Sequence, residues 1–248
     1  MTPLILRPQP AADELAACLR AAGHTPVVSP LLEYRPGQDL HKLTEVLSQS
    51  EVVIATSQAA VTYASDALHH HHAAWPTHPV YLAVGQTTAK AWLADNITAV
   101  YPDDARSEGL LARPELADVN GKNIVILRGN GGRELLRDTL TKLGAKVICL
   151  ECYQRHYPAI QGATLWAEWQ AAGTDSVIIT SSEIFRQLVA LLPKQAFSWL
   201  QILRWYVPTQ RIADEISDYG FQLIFLMTGA HHQAVVAALK NTEDKTDE

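Results

Sequence analysis

Val52-Val53-Ile54-Ala55-Thr56-Ser57 is a short apolar run that ends on two hydroxyls, and its reading decides the fold. Runs of this length and β-branched content read as strands, and Ser or Thr at the exit suits the N-cap of a following helix. The pattern returns as Val177-Ile178-Ile179-Thr180-Ser181-Ser182. A second pair of turns repeats in the same order, Gly85-Gln86-Thr87-Thr88-Ala89 after one strand-like run and Thr209-Gln210-Arg211-Ile212-Ala213 after another. Strand, turn and helix thus recur in two similar halves, the pattern of parallel sheets covered by helices.

Outward from these turns, further strand-like runs lie at 4–6, 27–34, 80–84, 97–101, 124–127, 147–153, 205–207 and 223–227. Helical stretches separate them at 61–68, 88–94 and 135–143, the last closed by Gly144 as a C′ residue, while Leu15, Leu19 and Ala22 mark one face of a helix that stops at Gly23. About ten strands exceed the ~4 to 6 of one compact sheet, so two sheets are expected. Breaks at Pro36-Gly37 and between Pro158 and Gly162 bracket the middle of the chain. The expected class is α/β, two similar parallel-sheet domains, one inserted in the other. Residues 1–36 and 157–240 form the discontinuous first domain, 37–156 the inserted second, and the polar residues 241–248 a frayed tail.

Composition narrows the function. With 248 residues, 48% of them hydrophobic and 19% charged, the chain has the material for real cores and no case for disorder. A net charge of −6 argues against a nucleic-acid binder working through a broad basic face, so an anionic partner must be held by local positive groups. No apolar run approaches the ~18 residues of a membrane span, and the start of the chain lacks a signal-peptide pattern; a cytoplasmic protein is expected. Three cysteines, Cys18, Cys149 and Cys152, do not make a disulfide framework.

In open α/β sheets ligands bind beyond the carboxyl ends of strands, where helix N-termini offer unpaired N–H groups. The residues expected there include Arg7, Thr56, Ser57, Gly85, Thr88, Arg128, Gly129, Asn130, Tyr153, Ser181 and Thr209. Hydroxyls, glycines and guanidiniums together suit a ligand with several carboxylates. Each hydroxyl also reads as an ordinary N-cap. Arg128-Gly129-Asn130-Gly131-Gly132-Arg133 begins like a dinucleotide fingerprint, but Glu134 fills the last glycine position and no P-loop lysine follows. A nucleotide site is therefore not expected. The run reads either as a carboxylate cradle at a helix start, with Gly131 or Gly132 required by close approach or positive φ, or as a mobile turn with solvated charges.

Other motifs carry less. Cys149 and Cys152 have CxxC spacing, yet three residues apart on a strand they point to opposite faces, which fits neither zinc nor redox chemistry. His69 to His72 read as a solvated helix end, and Trp166 with Trp169 as packing on one helix face.

Taken together, the chain resembles the uroporphyrinogen-III synthase family. The marks are Ile5-Leu6-Arg7-Pro8, Thr56-Ser57, Gly85 to Ala89, Ile126 to Glu134 and Cys152-Tyr153-Gln154-Arg155, in that order over nearly the whole chain. The resemblance implies two α/β domains joined by a two-stranded connector with a cleft between them. The implied substrate is hydroxymethylbilane, a linear tetrapyrrole with eight carboxylates, closed with inversion of ring D and loss of water in haem biosynthesis. No cofactor or metal is implied, and Tyr153 is the residue expected to assist departure of the terminal hydroxyl. Arg7, Arg128 and Arg204 are expected to steer carboxylates. Thr209-Gln210-Arg211 departs from the family's Gly-x-x-Thr-Ala version, so Thr209 or Arg211 stands in there for the usual hydroxyl. The implied partners are this small molecule and a transient contact with the bilane-forming enzyme, with no nucleic acid or membrane, and the chain acting as a monomer. A non-catalytic two-domain binding protein for a polycarboxylate is the alternative reading, and a nucleotide-dependent transferase a third that Glu134 speaks against.

Overall fold

The structure, a computed structural model, describes residues 1–132 and 134–243; Arg133 of the Gly-rich run and residues 244–248 of the polar tail lie outside the described residues. Its strands are β1 (Pro3–Ile5), β2 (Val27–Val28), β3 (Glu33–Pro36), β4 (Val52–Ala55), β5 (Val80–Ala83), β6 (Asn123–Gly129), β7 (Lys146–His156), β8 (Ser176–Ile178), β9 (Arg204–Val207) and β10 (Ile224–Leu226). The helices are α1 (Ala11–Ala21), α2 (Leu43–Ser48), α3 (Gln58–His70), α4 (Gln86–Ala91), α5 (Ser107–Leu111) and α6 (Leu135–Lys142), then α7 (Gly162–Ala171), α8 (Ser182–Leu191), α9 (Phe197–Leu200), α10 (Gln210–Asp218) and α11 (His232–Glu243). The chain divides into two compact units, one made of Met1–Glu33 and the segment from His156 onward, the other of Tyr34–Arg155.

In the discontinuous unit the strand order is β10-β9-β8-β1-β2, with parallel pairing that aligns Leu4 with Val177 and Val177 with Trp205. Alternation along the strands sorts the two faces. Leu4, Val177 and Trp205 enter a core with Phe185, Leu188, Ile212 and Ile216 from α8 and α10. Their neighbours Ile5, Ile178 and Tyr206 enter the opposite core with Leu15 and Leu19 of α1 and Val235 and Leu239 of α11. Trp205 stacks on Phe221 at 4.7 Å between ring centroids, and burying such side chains contributes roughly 1.5–3 kcal/mol each.

The inserted unit repeats the plan with the order β3-β7-β6-β4-β5. Val53, Ala55, Val125 and Leu127 face α2, α3 and Trp92, whereas Val52, Ile54, Ile124 and Ile126 face Leu110 of α5 and Leu136 and Leu140 of α6. Cys152 belongs to the first of these cores and Cys149 packs on the second, so the opposite-face expectation for the pair holds. Trp169 is buried and Trp166 packs beside it, as expected of packing residues. Gly144 closes α6 with φ +88°, again as expected.

Four expectations are corrected. The single strand expected over 27–34 is two, Val27–Val28 in one sheet and Glu33–Pro36 in the other, because Pro30 supplies no N–H for a continuous ladder. The run at 97–101 makes one bridge, Leu82 to Val100, before Pro102 ends the pairing. Ala22 is exposed and lies past the end of α1, and at the far terminus α11 continues through Glu243, so the tail expected to fray from Asn241 begins as helix.

Candidate active site

The inserted sheet has a switch point. From β4 the chain runs outward to β5 on one side, and β6 and then β7 add on the other, so the exits of β4 and β6 diverge into a crevice at the carboxyl ends of adjacent strands. Thr56 and Ser57 leave β4 there, and Arg128 and Gly129 end β6. Ser57 is extended (φ −160°, ψ 157°) and caps α3 by accepting the Ala60 N–H at 3.2 Å. Ser181 caps α8 in the same way by accepting the Ile184 N–H at 3.3 Å, so the sequence repeat is a repeat of capped strand exits.

Tyr153 comes to the crevice through an irregularity in the ladder. Arg128 is opposite Glu151, but the next residue, Gly129, is opposite Tyr153, so Cys152 is skipped. One extra residue re-aims the strand. The Tyr153 ring then lies over Gly129, where an added Cβ would sit 2.7 Å from Cζ; only glycine leaves room. Tyr34 meets the ring edge-on at 5.1 Å, Tyr63 lies nearly parallel at 6.2 Å, and the Arg155 guanidinium stands 5.9 Å from its centroid. Tyr63 is held in turn by donating to the Tyr34 carbonyl at 2.8 Å, and burial, followed by the nearby Asp66 charge, raises its pKa. The Tyr153 side chain is buried, yet it forms part of the wall of a cavity of about 190 Å³ shared with Thr56, Ser57, Arg128, Gly131, Arg137 and Cys149.

The phenol oxygen of Tyr153 accepts a hydrogen bond from Ser57 Oγ at 3.2 Å. With Ser57 Oγ donating to the phenol and accepting from Ala60, the Tyr153 proton is free to donate into the cavity. Thr56 donates to the Leu127 carbonyl at 3.2 Å and ties the two strand exits together. Asn130 is committed to the backbone: its side-chain oxygen accepts the Arg155 N–H at 2.9 Å and its amide donates to the Arg155 carbonyl at 3.3 Å.

Positive charge reaches the cavity from Arg128, Arg137 and Arg155. Arg128 Nη1 contacts both carboxylate oxygens of Glu134 at 3.0 and 3.1 Å, and Arg137 Nη1 reaches the same carboxylate at 2.9 Å. With Glu134 41% exposed, such a pair is worth about 1 kcal/mol or less. Burial pushes the Cys149 thiol up, against the lowering effect of Arg128 beside it. Gly132 has φ +124° and needs to be glycine, whereas a Cβ on Gly131 would meet open space; the positive φ expected of either residue is confined to Gly132, and neither is held by a close approach.

The other expected residues stand elsewhere. Gly85 caps α4 and Thr88 is buried one turn later, and neither lines the cavity. In the discontinuous unit, Arg7 donates to the Ala230 carbonyl at 3.2 Å, Arg211 donates to Ser182 at 2.9 Å, and Thr209 sits at the start of α10 with no cap bond from its side chain. Arg204 is a correction. It begins β9 and is paired with Ser176 at the amino end of the sheet, away from the strand exits, because β9 runs from Arg204 toward Val207. Sequence reasoning did not single out Arg137, Tyr34 or Tyr63; Arg137 was legible as the i+3 partner of Glu134 on a helix, while the two tyrosines carry no local signal.

At the other end of α3 a second cavity, about 610 Å³, has Trp75, Tyr81, Ile97, His69 and Asp95 in its wall. His69 contacts Asp95 there at 2.8 Å, so the histidine run ends a helix with one member pinned. Among the described residues there is no cluster of ligands suited to a metal ion, and no helix long and apolar enough to cross a membrane.

Comparison with known proteins follows the same lines. The family profile described as uroporphyrinogen-III synthase HemD matches residues 13–236. The chain is 40% identical over 246 residues to the uroporphyrinogen-III synthase of Escherichia coli, covering 97% of this chain and 100% of the relative. It is 38% identical over 246 residues, with the same coverage, to that of Salmonella typhimurium. Among solved structures, a mutant uroporphyrinogen III synthase of Thermus thermophilus aligns with TM-score 0.67 at 16% identity, over 99% of this chain and 100% of that one. The Helicobacter pylori uroporphyrinogen-III synthetase aligns with TM-score 0.58 at 13% identity, over 98% and 99% of the two chains. At these identities the structures show a shared fold.

Proposed function

The chain belongs to the uroporphyrinogen-III synthase family, and on that premise we propose that Tyr153 is the acid that starts ring closure. The family activity is that of a lyase of haem biosynthesis. Its substrate in this reading is hydroxymethylbilane. The Tyr153 proton passes to the terminal hydroxyl, the carbon–oxygen bond breaks, and water leaves an electrophilic azafulvene. Ring D attacks through its substituted carbon, a spiro intermediate forms, and the macrocycle closes with ring D reversed. Loss of one ring-carbon proton on closure balances the proton supplied by the phenol.

The observation that carries this reading is the Ser57 hydrogen bond to the phenol oxygen, which leaves the Tyr153 proton free to donate into a cavity lined by guanidiniums. A space of about 190 Å³ is far smaller than a four-pyrrole chain, so the reacting end enters it. Backbone N–H groups at the capped strand exits, with Arg128 and Arg137, hold carboxylates nearby. Most of the rate is then positional: the ends are kept in the rearranging geometry and water is excluded. Arg7, Ser181 and Thr209 bind further carboxylates at the strand exits of the other sheet. The enzyme acts in the cytoplasm as a monomer, with transient contact to the bilane-forming enzyme; the free cysteines Cys18, Cys149 and Cys152 fit a reducing compartment.

The test is to supply hydroxymethylbilane and resolve the uroporphyrinogen isomers. The proposal expects the rearranged isomer III. Accumulation of the unrearranged isomer alone, at the spontaneous rate, contradicts it and favours a binding protein.

A further inference from the structure

Glu134 makes a contact that the ring-closing reaction does not use. Its carboxylate bridges Arg128 at 3.0 Å and Arg137 at 2.9 Å, and both guanidiniums line the cavity that contains Tyr153. The Arg128 side chain is only 15% exposed, so leaving its charge without a counter-ion would be costly. Glu134 is 41% exposed and precedes α6, to which its side chain makes no capping hydrogen bond. One partner is therefore fixed and the other free to leave.

Glu134 takes only part of the Arg128 fork, and the Cys149 thiol also lies within hydrogen-bonding reach of that guanidinium. Nη1 sits between the two Glu134 oxygens, while Nη2 reaches no further than the Gly132 carbonyl at 3.5 Å. A bidentate carboxylate pair uses two nitrogens in parallel, and a ligand carboxylate entering from the cavity could take that geometry. Asp138 accepts from Arg137 at 2.9 Å and keeps that side chain in place when Glu134 departs. Cys149, the other titratable group against Arg128, is half-buried and raised by desolvation, so it does not compete as an anion.

We propose that Glu134 is a built-in carboxylate that holds Arg128 and Arg137 ready and is displaced by a carboxylate of the substrate. It is a specificity-determining residue: it sets the threshold an incoming anion must exceed, so single weak anions fail where a polycarboxylate succeeds. This rests on the family reading of the site, and the experiment separates the two.

Steady-state kinetics with hydroxymethylbilane are measured for the unmodified chain, E134Q, R128Q and the double variant, alongside melting temperature and calorimetric titration with uroporphyrin I as a stable octacarboxylate probe. Glutamine keeps the shape and the acceptor oxygen but removes the competing charge. E134Q should lower KM and the probe's Kd by about threefold to tenfold. In the R128Q background the same substitution should have less than about a twofold effect, because its target is gone. E134A serves in place of E134Q should the latter melt early. An E134Q protein that is folded but binds no better, or a gain that persists without Arg128, overturns the proposal. Failure of the unmodified chain to form isomer III overturns the family reading instead, and the titration still decides the role of Glu134.

Discussion

Ser57 Oγ lies 3.2 Å from the phenol oxygen of Tyr153 while it accepts the Ala60 N–H at the head of α3. One hydroxyl thus serves the fold and the site together. Ser57→Ala should cost about 1 kcal/mol of stability through the lost cap and lower the rate by about threefold to tenfold through the lost orientation of the phenol. Ser57→Thr retains the hydroxyl and should recover both. Melting temperature and isomer-resolved rate on the same preparations check this; a rate loss in Ser57→Thr equal to that in Ser57→Ala would disconnect the hydroxyl from the chemistry.

Gly129 is fixed by the ring above it. In Gly129→Ala the new Cβ would sit 2.7 Å from Tyr153 Cζ, so the ring must move off its hydrogen bond to Ser57. Overpacking of this kind costs typically ~1–3 kcal/mol, and the rate should fall at least as far as in Ser57→Ala. Gly131→Ala meets open space and should change stability by less than about 0.5 kcal/mol. Equal melting temperatures for the two variants would refute the packing account.

Asp39 ties the start of the inserted unit to β7, accepting from Lys42 at 2.8 Å and from the Glu151 N–H at 3.0 Å. The Lys42 hydrogen bond, then the Glu151 N–H, hold its carboxyl below the ordinary value of 3.8. A pKa lowered by folding stabilises the native state above the unfolded value, and that contribution is lost as pH falls through the folded one. Asp39→Asn should therefore be less stable than the unmodified chain at neutral pH, with the gap closing below about pH 4. Chemical denaturation at a series of pH values checks the sign, and a gap that widens in acid would contradict it.

The carboxyl-end hydroxyls and the Gly-rich turn are legible because strand exits announce themselves: an apolar run stops and a cap or glycine follows. Tyr153, expected at such an exit, instead lies inside β7 and reaches the crevice where the ladder skips Cys152. Which end of a short strand a charge occupies is not legible. Trp205 to Val207 read correctly as strand, but Arg204 extends it at its start, so a side chain expected at the site stands at the opposite edge. Thr88 read as a ligand because it follows a turn, whereas the helix rotation carries it into the core. The Tyr34 and Tyr63 contacts depend on β3 and α3 both meeting β7, a tertiary placement without local periodicity. The Glu134 pairing is hidden for another reason: in the sequence this residue shows only as the break in a glycine fingerprint, and its pairing with Arg128 across the turn has no helical spacing to mark it.

The central claim is that the phenol of Tyr153 starts the reaction while its ring merely fills space over Gly129. The direct measurement is the isomer-resolved rate of Tyr153→Phe with hydroxymethylbilane, alongside its melting temperature. Phenylalanine keeps the ring volume and loses only the Ser57 hydrogen bond, so stability should drop by no more than ~1 kcal/mol. The rate to isomer III should fall by about 10²-fold or more, with a residual from positioning alone. A stable Tyr153→Phe protein that forms isomer III at the unmodified rate would contradict the account.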